Sequence, residues 1–228
     1  MRVADANHLR QFLMQITQAV ERPVFVKVGA NDGVTGDPCG DLFLNHPNWT
    51  GILIEPVPYL VQKLQSIFGD RSRFTIEPVA VGSSPGIAPF YYVSEEAQRL
   101  HPDLPDWYDQ LGSFHRQHIT NHDGRLAPFV QVMDVMVEPL QNILLRHRLP
   151  HIEFLHIDTE GHDLHVLRSV NLNTLAPLAV WVEHKHLSPE DRSEMRTLLE
   201  GQGYDVGTGH DDFFAVQREA DQRLHRND

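Results

Sequence analysis

The chain has a single cysteine, Cys39, in 228 residues. That excludes an internal disulfide framework and a cysteine-built zinc cluster, and it suits a reducing compartment, so a cytoplasmic setting is expected. No stretch approaches the roughly eighteen consecutive apolar residues of a membrane-crossing helix. The opening segment, MRVADANHLRQFLMQITQAV, is amphipathic and interrupted by polar side chains rather than built as a secretory leader. Basic residues are scarce: 19 lysines and arginines face 31 aspartates and glutamates, for a formal net charge of -12. Such a charge repels a phosphate backbone and the arginines are scattered, so no nucleic acid is expected as a partner, and no membrane either. No G-x-x-x-x-G-K-[ST] run occurs, which removes support for a phosphate-cradling P-loop.

What is present is enough apolar surface, 41% hydrophobic residues, to bury one core at this length, so a single domain is expected. Fifteen histidines, concentrated after His101, add groups that titrate near neutral pH and ligate metals. Leu9, Phe12, Leu13, Ile16 and Val20 fall at helical spacing before Pro23, which predicts an N-terminal helix within residues 1–22, packed on the domain. Strand-like and helix-like segments then alternate. PVFVKVGANDG runs from a β-rich stretch into a glycine turn, GILIEP and FTIEPVAVG supply a second and third strand, and PYLVQKLQSIF between them has helical periodicity. Residues 83–124 break the rhythm: PFYYVSEE reads as an extra strand, and HPDLPDWYDQLGSFHRQHITNHDG as an insertion covering a site. Alternation resumes with FVQVMD, VEPLQNILLRHR, IEFLHID, HDLHVLRSV and LAVWVEH. SPEDRSEMRTLLEGQG follows as a helix capped by Ser188 with Pro189 at its first position. YDVGTGH and DFFAVQRE close the domain as an antiparallel hairpin, and residues 219–228 read as a frayed tail. The pattern predicts an α/β architecture with a mainly parallel sheet covered by helices on both faces.

Chemistry concentrates first at VGANDG, Val28–Gly33, and at Glu55, which ends the second strand. Glycines at such a turn let the backbone approach a ligand, and a strand-end carboxylate accepts both hydroxyls of a ribose, so a nucleoside-containing cofactor is implied. The turn reads G-x-x-x-G. It lacks the middle glycine that brings a dinucleotide's pyrophosphate close to the first helix, which argues against NAD or FAD and leaves a nicotinamide-dependent oxidoreductase as the weaker alternative.

Five segments, VGANDG, IEP (Ile54–Pro56), VAVG (Val79–Gly82), IDTEGHD (Ile157–Asp163) and VEH (Val182–His184), resemble in order and spacing the FkbM family of methyltransferases, over about residues 24–216. The resemblance implies a Rossmann-like class I methyltransferase fold with a seven-stranded sheet and one methyltransferase domain across residues 23–218. It also implies S-adenosylmethionine as methyl donor and O-methylation of a sugar, glycan or secondary metabolite. Gly29, Asn31 and Gly33 would then line the methionine and ribose, Glu55 would hold the ribose diol, Pro56 and Val57 would border the adenine, and Ala80 and Val81 its other side. Lys27 departs from the family pattern, which has an acidic residue there. The lysine is expected to reach the cofactor carboxylate, to pair with Asp32 or another neighbouring acid, or to snorkel from the strand end. It also motivates a rival reading, a ligand-binding module on a methyltransferase scaffold without turnover.

IDTEGHD and VEHKH gather Asp158, Glu160, His162, Asp163, Glu183, His184 and His186 near the carboxyl edge of the sheet, where open α/β sheets bind ligands. Transfer to a hydroxyl needs the acceptor oxygen in line with the methyl carbon and relieved of its proton. Two arrangements meet that need. In one, His184 or His162 is the general base, oriented by a carboxylate such as Asp158 or Glu183. In the other, Asp158, Glu183 and His184 hold Mg²⁺ or another divalent ion that acidifies the alcohol. Asp163 and Asp134 also fit helix caps. In the insertion, His115, His118 and His122 share one helical face; His115, Arg116 and His118 are expected to contact an anionic or hydroxylated acceptor, and His122 to belong to a solvated face. Trp107, Tyr108 and Phe114 serve as an apolar acceptor wall or as packing for the insertion. The expected partner is a small molecule or glycan, and a homo-oligomer is left open.

Overall fold

The central strands are apolar on both faces, so each must be covered from both sides. The computed structural model describes residues 5–70 and 72–224. Strands β1 (Val24–Val28), β2 (Thr50–Ile54), β3 (Phe74–Glu77), β4 (Ala80–Val81), β5 (Gly86–Val93), β6 (Val130–Glu138), β7 (Phe154–Ile157), β8 (Ala179–Glu183), β9 (Tyr204–Thr208) and β10 (Asp212–Gln217) form two sheets. Seven of them make the main sheet in the order β3-β2-β1-β7-β8-β10-β9. It is parallel except for β10, which runs against both β8 and β9 and closes the fold as the expected hairpin.

Side chains alternate between two core layers. Val26, Val28, Ile52, Leu155, Ile157, Val180 and Val182 pack with Ile143, Leu167, Met195 and Leu199 of three helices on one face. Phe25, Leu53, Phe154, Trp181 and Phe214 pack on the other with Leu9, Phe12, Leu13 and Ile16 of the helix Ala6–Ala19. Asp5 caps that helix by accepting the His8 N–H at 2.9 Å. Ser188 caps the helix Pro189–Gly201 as read from the sequence, accepting the Asp191 N–H at 3.0 Å. No helix among the described residues is long and apolar enough to cross a membrane.

Three segments differ from expectation. FTIEPVAVG is not one strand: β3 ends at Glu77, and Ala80–Val81 crosses to a second sheet ordered β4-β6-β5. FVQVMD, which resumes the alternation in the sequence, forms part of β6 and belongs to that second sheet, pairing antiparallel with β5 over eight positions. Asp134 therefore sits mid-strand opposite Pro89 and caps no helix. The tail is not frayed throughout: Ala220–Leu224 forms a short helix that buries Ala220 and Leu224, while residues 225–228 lie outside the described residues.

Candidate active site

Strand order reverses between β1 and β7, because the chain steps outward through β2 and β3 and returns on the other side of β1. The loops leaving the carboxyl ends of those two strands diverge, and a crevice opens there as a consequence of topology. It is an open cleft lined by residues from the ends of β1, β2 and β7, by Ala80 and Val81, and by the insertion through Phe90, Asp109, Gln110, Gly112 and Phe114.

The glycine turn forms the floor. A Cβ on Gly29 would stand 1.7 Å from the Asp158 carbonyl oxygen, so only glycine lets β1 pass the loop after β7. Asn31 is left-handed at φ 50°, a conformation asparagine tolerates better than most residues. Its N–H donates to Glu55 Oε2 at 2.9 Å, while Val57 N–H donates to Oε1 at 3.0 Å. Burial raises the Glu55 carboxyl to about 7, against those two donors, which pull it down. Glu55 thus faces the cleft with its plane fixed by two backbone amides.

Of the residues expected at a cofactor, Gly29, Asn31, Glu55, Pro56, Ala80 and Val81 line the cleft. Gly33 and Val57 do not. Gly33 is a packing position, where a Cβ would meet the Phe68 ring at 2.4 Å. Val57 buries its side chain with Leu60 and Phe90 and contributes only its N–H, to Glu55.

Lys27 is buried and ion-paired with Asp37, not Asp32, whose carboxylate is occupied by Thr35 and the Val34 N–H. Asp37 also accepts N–H bonds from Cys39 at 2.7 Å and Gly40 at 2.8 Å. Burial works to raise the Asp37 carboxyl, but the Lys27 ammonium and these donors outweigh it and hold the group well below the usual carboxylate range. The lysine is therefore neutralised from within the wall of the cleft, where both residues lie. Asp37 escaped the sequence reading because no strand end or motif marks it.

At the carboxyl end of β7, Asp158 and Glu160 line the cleft, and Glu183 comes close to both, one oxygen of each falling within 4.8 Å of the others. Burial, then mutual repulsion, raises the Asp158 carboxyl well above its ordinary value and pushes Glu183 up to about 11. A cationic ligand entering this end would meet a surplus of carboxyl groups.

The structure sets both expected histidine bases apart from the cleft, and of the expected metal set it brings together Asp158 and Glu183, with Glu160 in place of His184. The His184 ring packs at 4.3 Å on Phe213 in the core and does not line the cleft, which removes it from a shared site with Asp158 and Glu183. His162 stacks on His165 and lines a separate surface groove with Gly82 to Ala88, on the far side of Phe114. Burial, with His165 and His115 nearby, lowers His162 to about 4. Asp163 organises the loop rather than capping: it accepts from Thr159 N–H at 2.8 Å, Thr159 Oγ1 at 3.0 Å and Gly161 N–H at 3.1 Å.

The insertion covers the cleft through polar contacts and through Phe90, which packs with Val57, Leu60 and Ala80. Gln110 Nε2 donates to the Thr35 carbonyl at 2.6 Å, and Lys63 pairs with Asp109 at 2.8 Å. Among the expected acceptor residues, His115 is exposed and Arg116 turns away, donating to the Ala127 carbonyl at 3.3 Å. His118 instead meets Glu160 at 2.7 Å. Phe114 is a wall of the cleft, whereas Tyr108 is core of the insertion and Trp107 is partly exposed outside it.

This strand order, closing hairpin, glycine floor and strand-end carboxylate define a class I, Rossmann-like methyltransferase fold. The profile of the methyltransferase FkbM domain matches residues 27–206, and the chain belongs to the FkbM methyltransferase family. Among solved structures it is similar to the FkbM methyltransferase of Methylobacillus flagellatus KT, at 16% identity and a TM-score of 0.55, over 86% of this chain and 44% of that one. The chain thus spans less than half of that relative's length. It is also similar to a precorrin-6y C5,15-methyltransferase from Geobacter metallireducens GS-15, at 10% identity and a TM-score of 0.40, over 90% of this chain and 84% of that one. No curated protein matches it.

Proposed function

We propose that this chain moves the methyl group of S-adenosylmethionine to a hydroxyl of a small-molecule or glycan acceptor. The observation that carries the reading is the polarity of the cleft: a ribose-competent carboxylate, Glu55, at the end of β2, and a surplus of carboxyl groups at the end of β7. The donor has the same polarity, with its ribose diol at one end and a sulfonium and ammonium at the other. Lys27 raises no obstacle to that cation, because Asp37 balances it.

Donor binding brings the residues of this chain into distinct roles. Glu55 receives the ribose hydroxyls, the Gly29–Asn31 backbone approaches the methionine portion, and Pro56, Ala80 and Val81 border the adenine. Burial and neighbouring carboxyls keep Asp158, at the end of β7, protonated in the donor-free protein; ionised once the donor's cation binds beside it, Asp158 takes the proton of the acceptor hydroxyl as the acceptor oxygen bonds to the methyl carbon and the carbon–sulfur bond breaks. Phe114 and Gln110 of the insertion exclude water from the acceptor side. A formal charge of -12 favours a neutral or cationic acceptor over nucleic acid.

Calorimetric titration with S-adenosylmethionine and S-adenosylhomocysteine tests this. Both should bind one per chain, and Glu55→Ala should abolish the heat; no saturable heat from either ligand in the folded wild-type protein overturns the reading.

A further inference from the structure

The insertion and the domain meet at a cluster of which the methyl-transfer reading uses only Glu160, one of the carboxyl groups at the end of β7. The helix Arg116–His122 presents His118 and His122, four positions apart and so on one face, toward Glu160 of the loop after β7 and His186 of the turn after β8. Each of the four residues offers a ring nitrogen or carboxylate oxygen, and these atoms all lie within 4.8 Å of one another. We propose that His118, His122, Glu160 and His186 bind one divalent transition ion of the zinc class, which clamps the insertion onto the domain beside the cleft.

The geometry is close to what such an ion requires. Glu160 Oε2 stands 2.7 Å from His118 Nε2 and 3.2 Å from His186 Nε2. The three imidazole rings surround that carboxylate with centroid separations of 4.6, 4.6 and 5.0 Å. A tetrahedral ion with bonds of about 2.0–2.1 Å separates its ligand atoms by about 3.3 Å, so small side-chain rotations suffice. His122 Nδ1 lies 2.9 Å from the His118 carbonyl oxygen. A carbonyl only accepts, so Nδ1 carries the proton and Nε2 keeps its lone pair for a metal, the orienting arrangement usual around histidine ligands.

Donor chemistry selects the ion. Three imidazoles and one carboxylate suit zinc, nickel, copper or iron, whereas magnesium and calcium prefer oxygen throughout. This set shares no residue with Asp158, Glu183 and His184, the Mg²⁺ ligands expected from the sequence. Its ligands come from three separated segments, so a bound ion joins the insertion to the loops after both β7 and β8. Glu160 also lines the cleft, so the ion would fix that wall without entering the donor site.

The test uses full-length protein purified without a polyhistidine tag, stripped with a chelator and titrated with Zn²⁺ by calorimetry. One ion per chain should bind with submicromolar affinity, and Co²⁺ should give the intense visible bands of a tetrahedral site. His118→Ala and His186→Ala should each weaken Zn²⁺ binding by more than about 100-fold, beyond the cost of losing a merely orienting hydrogen bond. His165→Ala, a histidine outside the set, should bind as the wild type does. Zinc-edge X-ray absorption of the unaltered protein, which depends on no variant folding, should show at least two imidazoles. Bound Zn²⁺ should also slow proteolysis within the insertion. Absence of saturable binding by the wild type overturns the proposal. So does binding retained in a His118→Ala/His186→Ala double variant with a native circular-dichroism spectrum.

Discussion

Replacing Lys27 with methionine should destabilise the protein through Asp37, not through lost packing. Methionine fills nearly the same volume, but the Asp37 side chain is only 3% exposed and loses its counter-charge. Removing one partner of a buried ion pair costs about 3–5 kcal/mol. The Cys39 and Gly40 N–H donors remain on Asp37, which places this site near the lower figure, about 3 kcal/mol. For a chain of this size that lowers Tm by about 6–12 °C, at about 2–4 °C per kcal/mol. Adding Asp37→Asn to Lys27→Met should recover most of the loss, because no buried charge is then left unpaired. The pH dependence has a definite sign. In the wild type the depressed Asp37 contributes stability that is present above the unfolded value of about 3.9 and is lost as pH falls below it. In Lys27→Met the carboxyl is free to protonate, so the deficit should shrink on acidification. Thermal and urea melts of the two single variants and the double variant measure all of this. A deficit under about 1 kcal/mol for Lys27→Met at neutral pH, or a double variant no more stable than the single, would refute the account.

Further outcomes follow from the same geometry. Glu55, raised from the ordinary 4.5 to about 7, stabilises the donor-free protein below the lower value and loses that contribution as pH rises through the upper one, by about 3 kcal/mol at most; Glu55→Gln should flatten the slope in pH-dependent melts. Donor affinity should move oppositely, tightening through the same window, since hydroxyls donate to the ionised carboxylate. Gly29→Ala places a Cβ 1.7 Å from a backbone carbonyl oxygen at a positive φ, and should cost more than about 4 kcal/mol or yield no soluble folded protein on expression. Asp158→Asn should lower turnover by about 10²–10⁴-fold while S-adenosylhomocysteine still binds, whereas His184→Phe, set in the core against Phe213, should leave turnover unchanged.

Local signals made much of the molecule legible. Apolar runs of strand length, glycine at positions 29 and 33 and a carboxylate at 55 are properties of short segments, because period, turn chemistry and strand ends are set within a few residues. They sufficed for the α/β class and the parallel sheet with its closing hairpin, and six of the eight residues they marked for a cofactor line the cleft. Distance along the chain hid the rest. Whether Val130–Glu138 joins the main sheet or a second one depends on what it pairs with, and β5 is preceded and followed by no signal that says so. The two histidines expected as bases lie away from the cleft for a related reason: distant partners decide whether a residue after a strand reaches the crevice, Phe213 holding His184 in the core and Phe114 standing between His162 and the cleft.

The sequence by itself determined the class of fold, the glycine floor and the strand-end carboxylate, because each is a local constraint on backbone or on a strand's last residue. Only the tertiary structure decided that Lys27 is balanced by Asp37, since pairing charges is a matter of where a loop returns. It alone also brought His118 and His122 against Glu160 and His186, ligands on segments tens of residues apart that no spacing rule connects.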